Sequence, residues 1–312
     1  MNRDLFIQII QTILISCSTN CSTNCLTNKT MNELPTKITG DVICDTQYCS
    51  MITIIVGITK TNAPISWAIR AIVSTTEYEY LDIACVAAYY GASTVLDAVL
   101  ITQCSNSTQE YYEIPEHAAR NGHINCLKIA KKYGFEWTAR LYGIAAYYGH
   151  LETIKWIKNA DLNSSPNWNT SICSSAALNG HLDIIKWART YSPCPWDVWT
   201  CAYAAEGGHL ETLKWVRQHG CPWDVLTCGR AAIYGHLETL KWAREHGCPW
   251  DKHTCSNAAK FCHIEVLKWA RLHGCPWNIR ECNKCVQHWK NDKLAKHLYF
   301  DVYEWARENN CT

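Results

Sequence analysis

The sequence predicts an all-α fold, a solenoid of helix-turn-helix repeats with short inter-repeat loops. The first observation is a period: Gly-Cys-Pro-Trp begins at Gly220, Gly247 and Gly274, a step of 27 residues. A fixed period of roughly 20–50 residues is typical of repeat architectures. The second observation is that each copy contains two segments with apolar residues at helical spacing. Neither segment could bury its apolar face alone, so the copies must stack on one another.

The first helix of each copy is predicted from its N-cap. Asp224 has a carboxylate that can accept from the unpaired backbone N–H groups at a helix start. We therefore expect a helix from about Val225 to Ile233, which Gly235 ends. The same N-cap slot in other copies holds residues of the same kind: Thr138, Asn169, Asp197, Asp251 and Asn278.

The second helix is predicted to begin near His236 and Leu237 and to end at about His246. Leu237, Leu240 and Ala243 recur at helical spacing and form its buried side. Gly247 stops this helix, and the proline that follows two residues later cannot continue it.

Tryptophan and cysteine recur in fixed slots. The chain has 15 Trp and 20 Cys. Two Trp columns are predicted to be core, because a buried indole removes a large apolar area from water; they are Trp137, Trp168, Trp196, Trp223, Trp250 and Trp277 in the loops, and Trp156, Trp187, Trp215, Trp242, Trp269 and Trp305 on the second helices.

Two Cys columns are predicted to hold small buried thiols in a reducing compartment, and hence in the cytoplasm. Residues in the same slot of stacked repeats lie too far apart for a disulfide. The columns are Cys194, Cys221, Cys248 and Cys275, and Cys173, Cys201, Cys228, Cys255 and Cys282. No metal site is predicted, since the paired Cys-x-x-Cys spacing of structural zinc is missing.

The repeat resembles the ankyrin repeat. Ala231-Ala232, Gly235-His236-Leu237-Glu238 and Gly247 match that pattern in place. Two features depart from it: the Thr-Pro-Leu-His signature is replaced by Leu226-Thr227-Cys228-Gly229, and the period is 27 rather than 33 residues. The missing residues correspond to the projecting hairpin finger of ankyrin repeats. This short form is similar to ankyrin-like repeats expanded in giant DNA viruses and some protists.

The chain divides into three parts. Residues 1–30 are predicted to be a leader that is disordered or spurious; the alternative is a secretion signal, although Gln8 and Gln11 interrupt the apolar stretch. Residues 31–77 form a helical N-terminal segment, in which Leu34-Pro35, Ile38, Val42-Ile43 and Trp67 resemble an F-box. That resemblance implies docking on the Skp-type adaptor of a cullin-RING ubiquitin ligase; the alternative is a plain helical cap, because proline is ordinary in a first helical turn. Residues 78–312 contain the ankyrin-like repeats, and the copies at both ends are degenerate.

Catalysis is not predicted. The histidine column, His123, His150, His181, His209, His236 and His263, occupies the inter-helix turn, where the ankyrin resemblance implies a structural role. No catalytic residues and no cofactor are expected. The net charge of +1 gives no strong field for nucleic acid or a membrane surface.

The slots that vary between copies predict a protein-binding face. On the first helix they are spaced four and then three residues apart, so they lie on one helical face. Stacking should align these faces into a concave groove rich in aromatic and Arg side chains, which dominate binding hot spots; the alternative is a face that is merely solvated. The predicted binding residues are Trp199, Tyr203, Glu206, Leu226, Arg230, Ile233, His253, Asn257, Lys260 and Arg280. We expect a monomer that binds a partner protein, a host protein if the chain is viral.

Overall fold

The computed structural model describes residues 69, 73, 80–103, 113–160, 169–191, 194–277, 302 and 305. These residues form fourteen α-helices, and none of them lies in a strand. The all-α prediction is therefore confirmed for the described part of the chain. Two compact units are present, Met1–Trp137 and Thr138–Thr312, and each is described by itself.

Unit 1 (Met1–Trp137) contains two helix pairs in residues 80–103 and 113–137, which the structure describes. Helix α1 packs against both α2 and α3, and α2 packs against α4. The Ala-Ala pairs of the two first helices are fully buried, so the small side chains allow the helices to approach closely. The helices are α1 (Tyr80–Tyr89), α2 (Ser93–Gln103), α3 (Glu113–Arg120) and α4 (Ile124–Lys132).

Unit 2 (Thr138–Thr312) contains five helix pairs in its described residues. The first helices pack side by side in chain order, and each also packs against the second helix of its own pair. The pairs are α5 (Ala139–Tyr147) with α6 (Leu151–Ala160), α7 (Ser171–Leu178) with α8 (Leu182–Tyr191), α9 (Val198–Glu206) with α10 (Leu210–Gln218), α11 (Val225–Ile233) with α12 (Leu237–Glu245), and α13 (Lys252–Lys260) with α14 (Ile264–Leu272).

The predicted boundaries of the central copy are confirmed. Helix α11 begins and ends at the predicted residues, and α12 ends one residue before the predicted end. The Asp224 carboxylate accepts from the Leu226 backbone N–H at 2.9 Å, as an N-cap does. Equivalent bonds join Asp197 to Trp199 and Asp251 to His253. No helix among the described residues is long and apolar enough to cross a bilayer.

The N-cap slot is less uniform at the start of unit 2. Thr138 precedes α5, but its side chain makes no cap hydrogen bond. The Asn169 side chain accepts from the Ser171 N–H at 3.1 Å, although Thr170 stands between Asn169 and the helix. Asn278 lies outside the described residues. The capping prediction thus applies to the copies that begin at Asp197, Asp224 and Asp251.

The turn between the two helices is also an inter-repeat joint. Gly235 has a φ of 78°, and an added Cβ would lie 2.5 Å from the His263 ring of the next copy. The same ring bonds to the Ile233 carbonyl oxygen at 2.9 Å. His123, His181 and His236 bond in the same way to Tyr89, Tyr147 and Glu206. The predicted structural role is confirmed for these four histidines.

The described members of the two tryptophan columns are half-buried rather than fully buried, so the prediction that they form core was wrong in its extent; Trp168 lies outside the described residues. The Trp223 ring meets the Trp242 ring edge-on, with centroids 6.0 Å apart, and the Arg217 guanidinium lies 4.4 Å above it. The indole is thus covered by one ring and one cation at the edge of the helix layer and keeps contact with water. The same arrangement recurs at Arg189 with Trp196 and Trp215, and at Arg244 with Trp250 and Trp269.

The cysteines of the described residues are free thiols, as predicted, and all except Cys262 are buried. The Cys221 thiol donates to the Asp197 carbonyl oxygen at 3.4 Å, and Cys248 and Cys275 repeat this bond to Asp224 and Asp251. The two columns also meet, which was not predicted. A thiol–thiol hydrogen bond with Cys221, together with burial, raises the pKa of Cys201, and Cys228 is paired with Cys248 in the same way.

Candidate protein-binding face

The predicted binding residues lie on adjacent first helices of unit 2. Trp199, His253 and Lys260 are exposed. The other described members are half-buried; they are Tyr203, Glu206, Leu226, Arg230, Ile233 and Asn257. Residues between these slots, such as Cys201 and Ala202, are fully buried. Because α9 packs on α11 and α11 on α13, these side chains form one continuous surface, here called the first-helix face.

Four of the predicted residues are brought into direct contact. The Trp199 and Tyr203 rings lie 5.5 Å apart at an interplanar angle of 35°. The Arg230 guanidinium lies 5.6 Å from the Trp199 ring centroid, within the range of a cation–π interaction. Arg230 Nη1 also lies 3.1 Å from Glu206 Oε2. The contacts join α9 to α11, so they belong to the joint between two copies as well as to the surface.

A fifth residue, Tyr234, joins this group and was not predicted. A hydrogen bond from the Tyr234 hydroxyl to the Glu206 carboxylate, with partial burial and the carboxylate's charge, raises the pKa of Tyr234. Its ring is 48% exposed. A sequence signal existed, because the same slot holds exposed aromatic residues in other copies, namely Tyr90, Tyr148 and Phe261. We call Trp199, Tyr203, Glu206, Arg230 and Tyr234 the recognition cluster.

The charges within the recognition cluster are balanced. Arg230 keeps 30% of its side chain exposed and Glu206 keeps 13%, so the carboxylate is well shielded from water. The sequence analysis placed Arg230 in a slot that varies between copies and can face a partner. In the structure the Arg230 guanidinium contacts Glu206 and Trp199, and these contacts restrain its position.

The remaining predicted residues extend the face on both sides of Arg230. Leu226 and Ile233 lie on α11 and supply apolar surface beside the cluster. On α13, the Lys260 ammonium lies 5.5 Å from the Phe261 ring. Arg280 lies outside the described residues.

The second helices present a different surface. Glu and Lys alternate there as ion pairs three residues apart, for example Glu211 with Lys214 and Glu238 with Lys241, both at 2.7 Å. The carboxylates are about three-quarters exposed in each pair. Such exposed pairs contribute only ~0.2–0.5 kcal/mol each and mark a solvated surface.

Comparison with known proteins supports the repeat assignment. Residues 144–189 match the family model for ankyrin repeats, a family described as occurring in many copies. This match runs from the end of α5 to the later part of α8. The all-helical array of paired helices is consistent with an ankyrin-like solenoid. A search of curated proteins finds no match.

Two solved structures show a distant likeness. The pentatricopeptide repeat protein PPR10 from maize is 11% identical at a TM-score of 0.36, over 99% of this chain and 49% of that one. PPR10 in complex with an 18-nt psaJ RNA element is 12% identical at a TM-score of 0.29, over 83% and 53% of the two chains. This chain thus spans about half the length of those proteins, and the low TM-scores support no functional argument.

Proposed function

We propose that the chain is a repeat scaffold that binds a partner protein through the first-helix face of unit 2. The observation that supports this most directly is the recognition cluster. Trp, Tyr and Arg are the residues most enriched in binding hot spots. Here all three occur within one partly exposed group, whose side chains are restrained by contacts with one another. A prearranged surface loses less conformational entropy on binding than a flexible one.

The charge of the cluster favours a protein partner over a nucleic acid. Phosphate binding requires positive charge that is not already neutralised. The guanidinium of Arg230 faces Glu206 at 3.1 Å, and a phosphate would be repelled by the same carboxylate. A protein segment with an apolar side chain fits better, because it can cover Trp199 and Leu226 while a backbone carbonyl accepts from Arg230.

We also propose that the face binds rather than catalyses. The charged groups of the recognition cluster are paired with each other, since both Arg230 and Tyr234 contact the Glu206 carboxylate. Catalytic groups are instead directed towards the place where a substrate would react. The match to ankyrin repeats in residues 144–189 supports a binding scaffold as well.

The test is an affinity capture in which the full chain is the bait, and it compares two double variants. Trp199→Ala with Tyr203→Ala removes the aromatic half of the cluster. Lys214→Ala with Lys241→Ala also truncates two long side chains, but on the second-helix surface, and is the control. Interactors are quantified by mass spectrometry, and the dissociation constant is then measured for the strongest one.

The first variant should weaken binding by about 30-fold or more, equivalent to ~2 kcal/mol. The control should leave binding within about twofold, because its residues lie on the other helix of the pair. Thermal unfolding of both variants checks that the fold is kept. Loss of binding in the lysine variant alone would place the partner on the second helices and contradict the proposal.

The ligase-adaptor hypothesis remains a prediction from sequence. It depends on residues 31–77, of which the structure describes only Ile69 and Val73. Viral origin, a host partner and a cytoplasmic location likewise remain predictions. Capture of a Skp-type adaptor by the full chain, and its loss in a Leu34→Ala, Ile38→Ala variant, tests the adaptor hypothesis.

A further inference from the structure

Three metal-capable side chains converge in unit 1. Cys85 lies on α1, and Glu113 and His117 lie on α3. One donor atom from each lies within 4.8 Å of the others, and Cys85 Sγ is 4.0 Å from Glu113 Oε2. Among the described residues this is the only such group of three.

The fold explains why these residues meet. Glu113 and His117 are four residues apart, so they lie on one face of α3. Helix α1 packs against α3, and this contact brings in Cys85, which is 28 residues before Glu113. The sequence analysis predicted no metal because it compared cysteine spacings only, and this set contains a single cysteine.

Cys85 departs from the repeat pattern. It stands two residues before the Ala-Ala pair, where the copies of unit 2 hold only small residues without a strong metal-binding group: Gly143, Ser174, Ala202, Gly229 and Ser256. It belongs to neither predicted Cys column. The thiol is therefore not needed to build a repeat, and its position facing Glu113 calls for another explanation.

The donor set suits Zn²⁺. Zinc binds thiolate, imidazole and carboxylate, at about 2.3 Å to sulfur and about 2.0–2.1 Å to nitrogen and oxygen. With one sulfur among the donors, tetrahedral coordination at those bond lengths requires donors separated by roughly 3.3–3.6 Å. The observed 4.0 Å between Cys85 Sγ and Glu113 Oε2 is close to that range. Small rotations of side chains would close the remaining gap.

A neighbouring ring restrains one of the three ligands. The Tyr89 ring packs edge-on to the His117 ring, with centroids 5.8 Å apart, and restricts the orientation of the imidazole.

We propose that Cys85, Glu113 and His117 bind one Zn²⁺ ion through three protein ligands. The fourth position is open to water or to a donor from a partner, since Glu113 is exposed. The ion would join α1 to α3, the first helices of two successive copies. This proposal does not depend on the proposed protein-binding function.

The test titrates Co²⁺, a spectroscopic substitute for Zn²⁺, into the full chain under reducing conditions after chelator treatment. A thiolate ligand gives a charge-transfer band in the near ultraviolet, and Zn²⁺ should abolish it by displacement. In the Cys85→Ser variant, the first equivalent of Co²⁺ should no longer give the charge-transfer band. Cys126→Ser is the matched control, because Cys126 is also buried in unit 1 but donates to the Ala87 carbonyl oxygen.

The other two ligands are tested by Glu113→Gln and His117→Gln. Each should weaken Co²⁺ and Zn²⁺ binding at least about tenfold, since even supporting residues around zinc sites contribute that much. Zn²⁺ should also raise the unfolding temperature of the wild type, and Glu113→Gln should lose this shift. A band that survives Cys85→Ser, a chain that takes up no Co²⁺ at one equivalent, or unchanged affinity in both Gln variants would overturn the proposal.

Discussion

The imidazole of His263 bonds to the carbonyl oxygen of Ile233 at 2.9 Å, thirty residues earlier in the chain, and its ring covers Gly235. A residue of the later copy thus covers the end of the first helix of the copy before it, as His236 does for the first helix that ends at Glu206. Because Gly235 has no side chain, the ring can lie directly against the backbone.

Gly235→Ala tests this joint. The substitution adds left-handed backbone strain of about 1 kcal/mol and places a Cβ 2.5 Å from the His263 ring, so we expect a total loss of ~2–4 kcal/mol in urea unfolding. Gly247→Ala is the matched control, since its φ is 83° but no atom lies within 4 Å of an added Cβ. Equal losses in the two variants would show that the histidine ring contributes nothing.

Trp223→Ala tests the half-buried loop column. A fully buried Trp costs ~3–5 kcal/mol on truncation, so partial exposure lowers the expected cost to about 2 kcal/mol. Leu272→Ala is the control, because Leu272 is 84% exposed and should change stability by less than about 0.5 kcal/mol. A loss near 5 kcal/mol in denaturant unfolding would contradict the half-buried placement of Trp223.

Acidification should destabilise the repeats. Burial lowers the pKa of His123 and His236 below the ordinary value of 6.5. The unfolded chain then binds more protons than the folded one, so stability is full above about pH 6.5 and is lost as the pH falls towards the folded pKa values.

The urea concentration at the midpoint of unfolding, measured at several pH values between 7.5 and 5, tests this effect. His236→Gln should flatten the pH dependence, because it removes a half-buried imidazole whose pKa is lowered. A midpoint that stays constant or rises on acidification would contradict the prediction.

Thiol reactivity should follow burial. Under native conditions Cys262, which is half-buried, should be alkylated faster than Cys201 and Cys228, which are fully buried and whose pKa values are raised. Only a thiolate reacts readily. Peptide mass spectrometry after a short pulse of alkylating agent gives the order. Recovery of a peptide that links Cys201 to Cys221 by a disulfide would contradict the free-thiol assignment.

The sequence alone was sufficient to predict features that are determined by residues within one copy. The bounds of α11 follow from the Asp224 cap, the apolar spacing and the glycine that ends the turn, all of which are local. The contacts of Glu206 with Arg230 and Tyr234 were not predicted, because they cross from one copy to the next. A repeat period gives the slot of each residue but not the direction of a long side chain towards its neighbour.

The degree of burial was harder to predict than helix position. Trp223 occupies a slot that holds tryptophan in successive copies, and this regularity suggested that its side chain lies in the hydrophobic core. A regular slot can equally lie at the edge of the helix layer, where an arginine covers the ring. The group at Cys85, Glu113 and His117 was missed for a further reason. Its members come from two copies with an irregular spacing, so only the packing of α1 on α3 brings them together.

The joints between copies also determine how the array should respond to force. The hydrogen bond of His263 is to a residue thirty positions earlier, and that of Cys248 is to a residue 24 positions earlier. These hydrogen bonds therefore join neighbouring copies only. A chain pulled from its two ends would then release the regular copies of unit 2 one at a time. Each release would lengthen the tether by about 80–90 Å, which is the extended length of 27 residues less the roughly 10 Å that a packed copy spans. The force–extension trace would then show a series of equal steps.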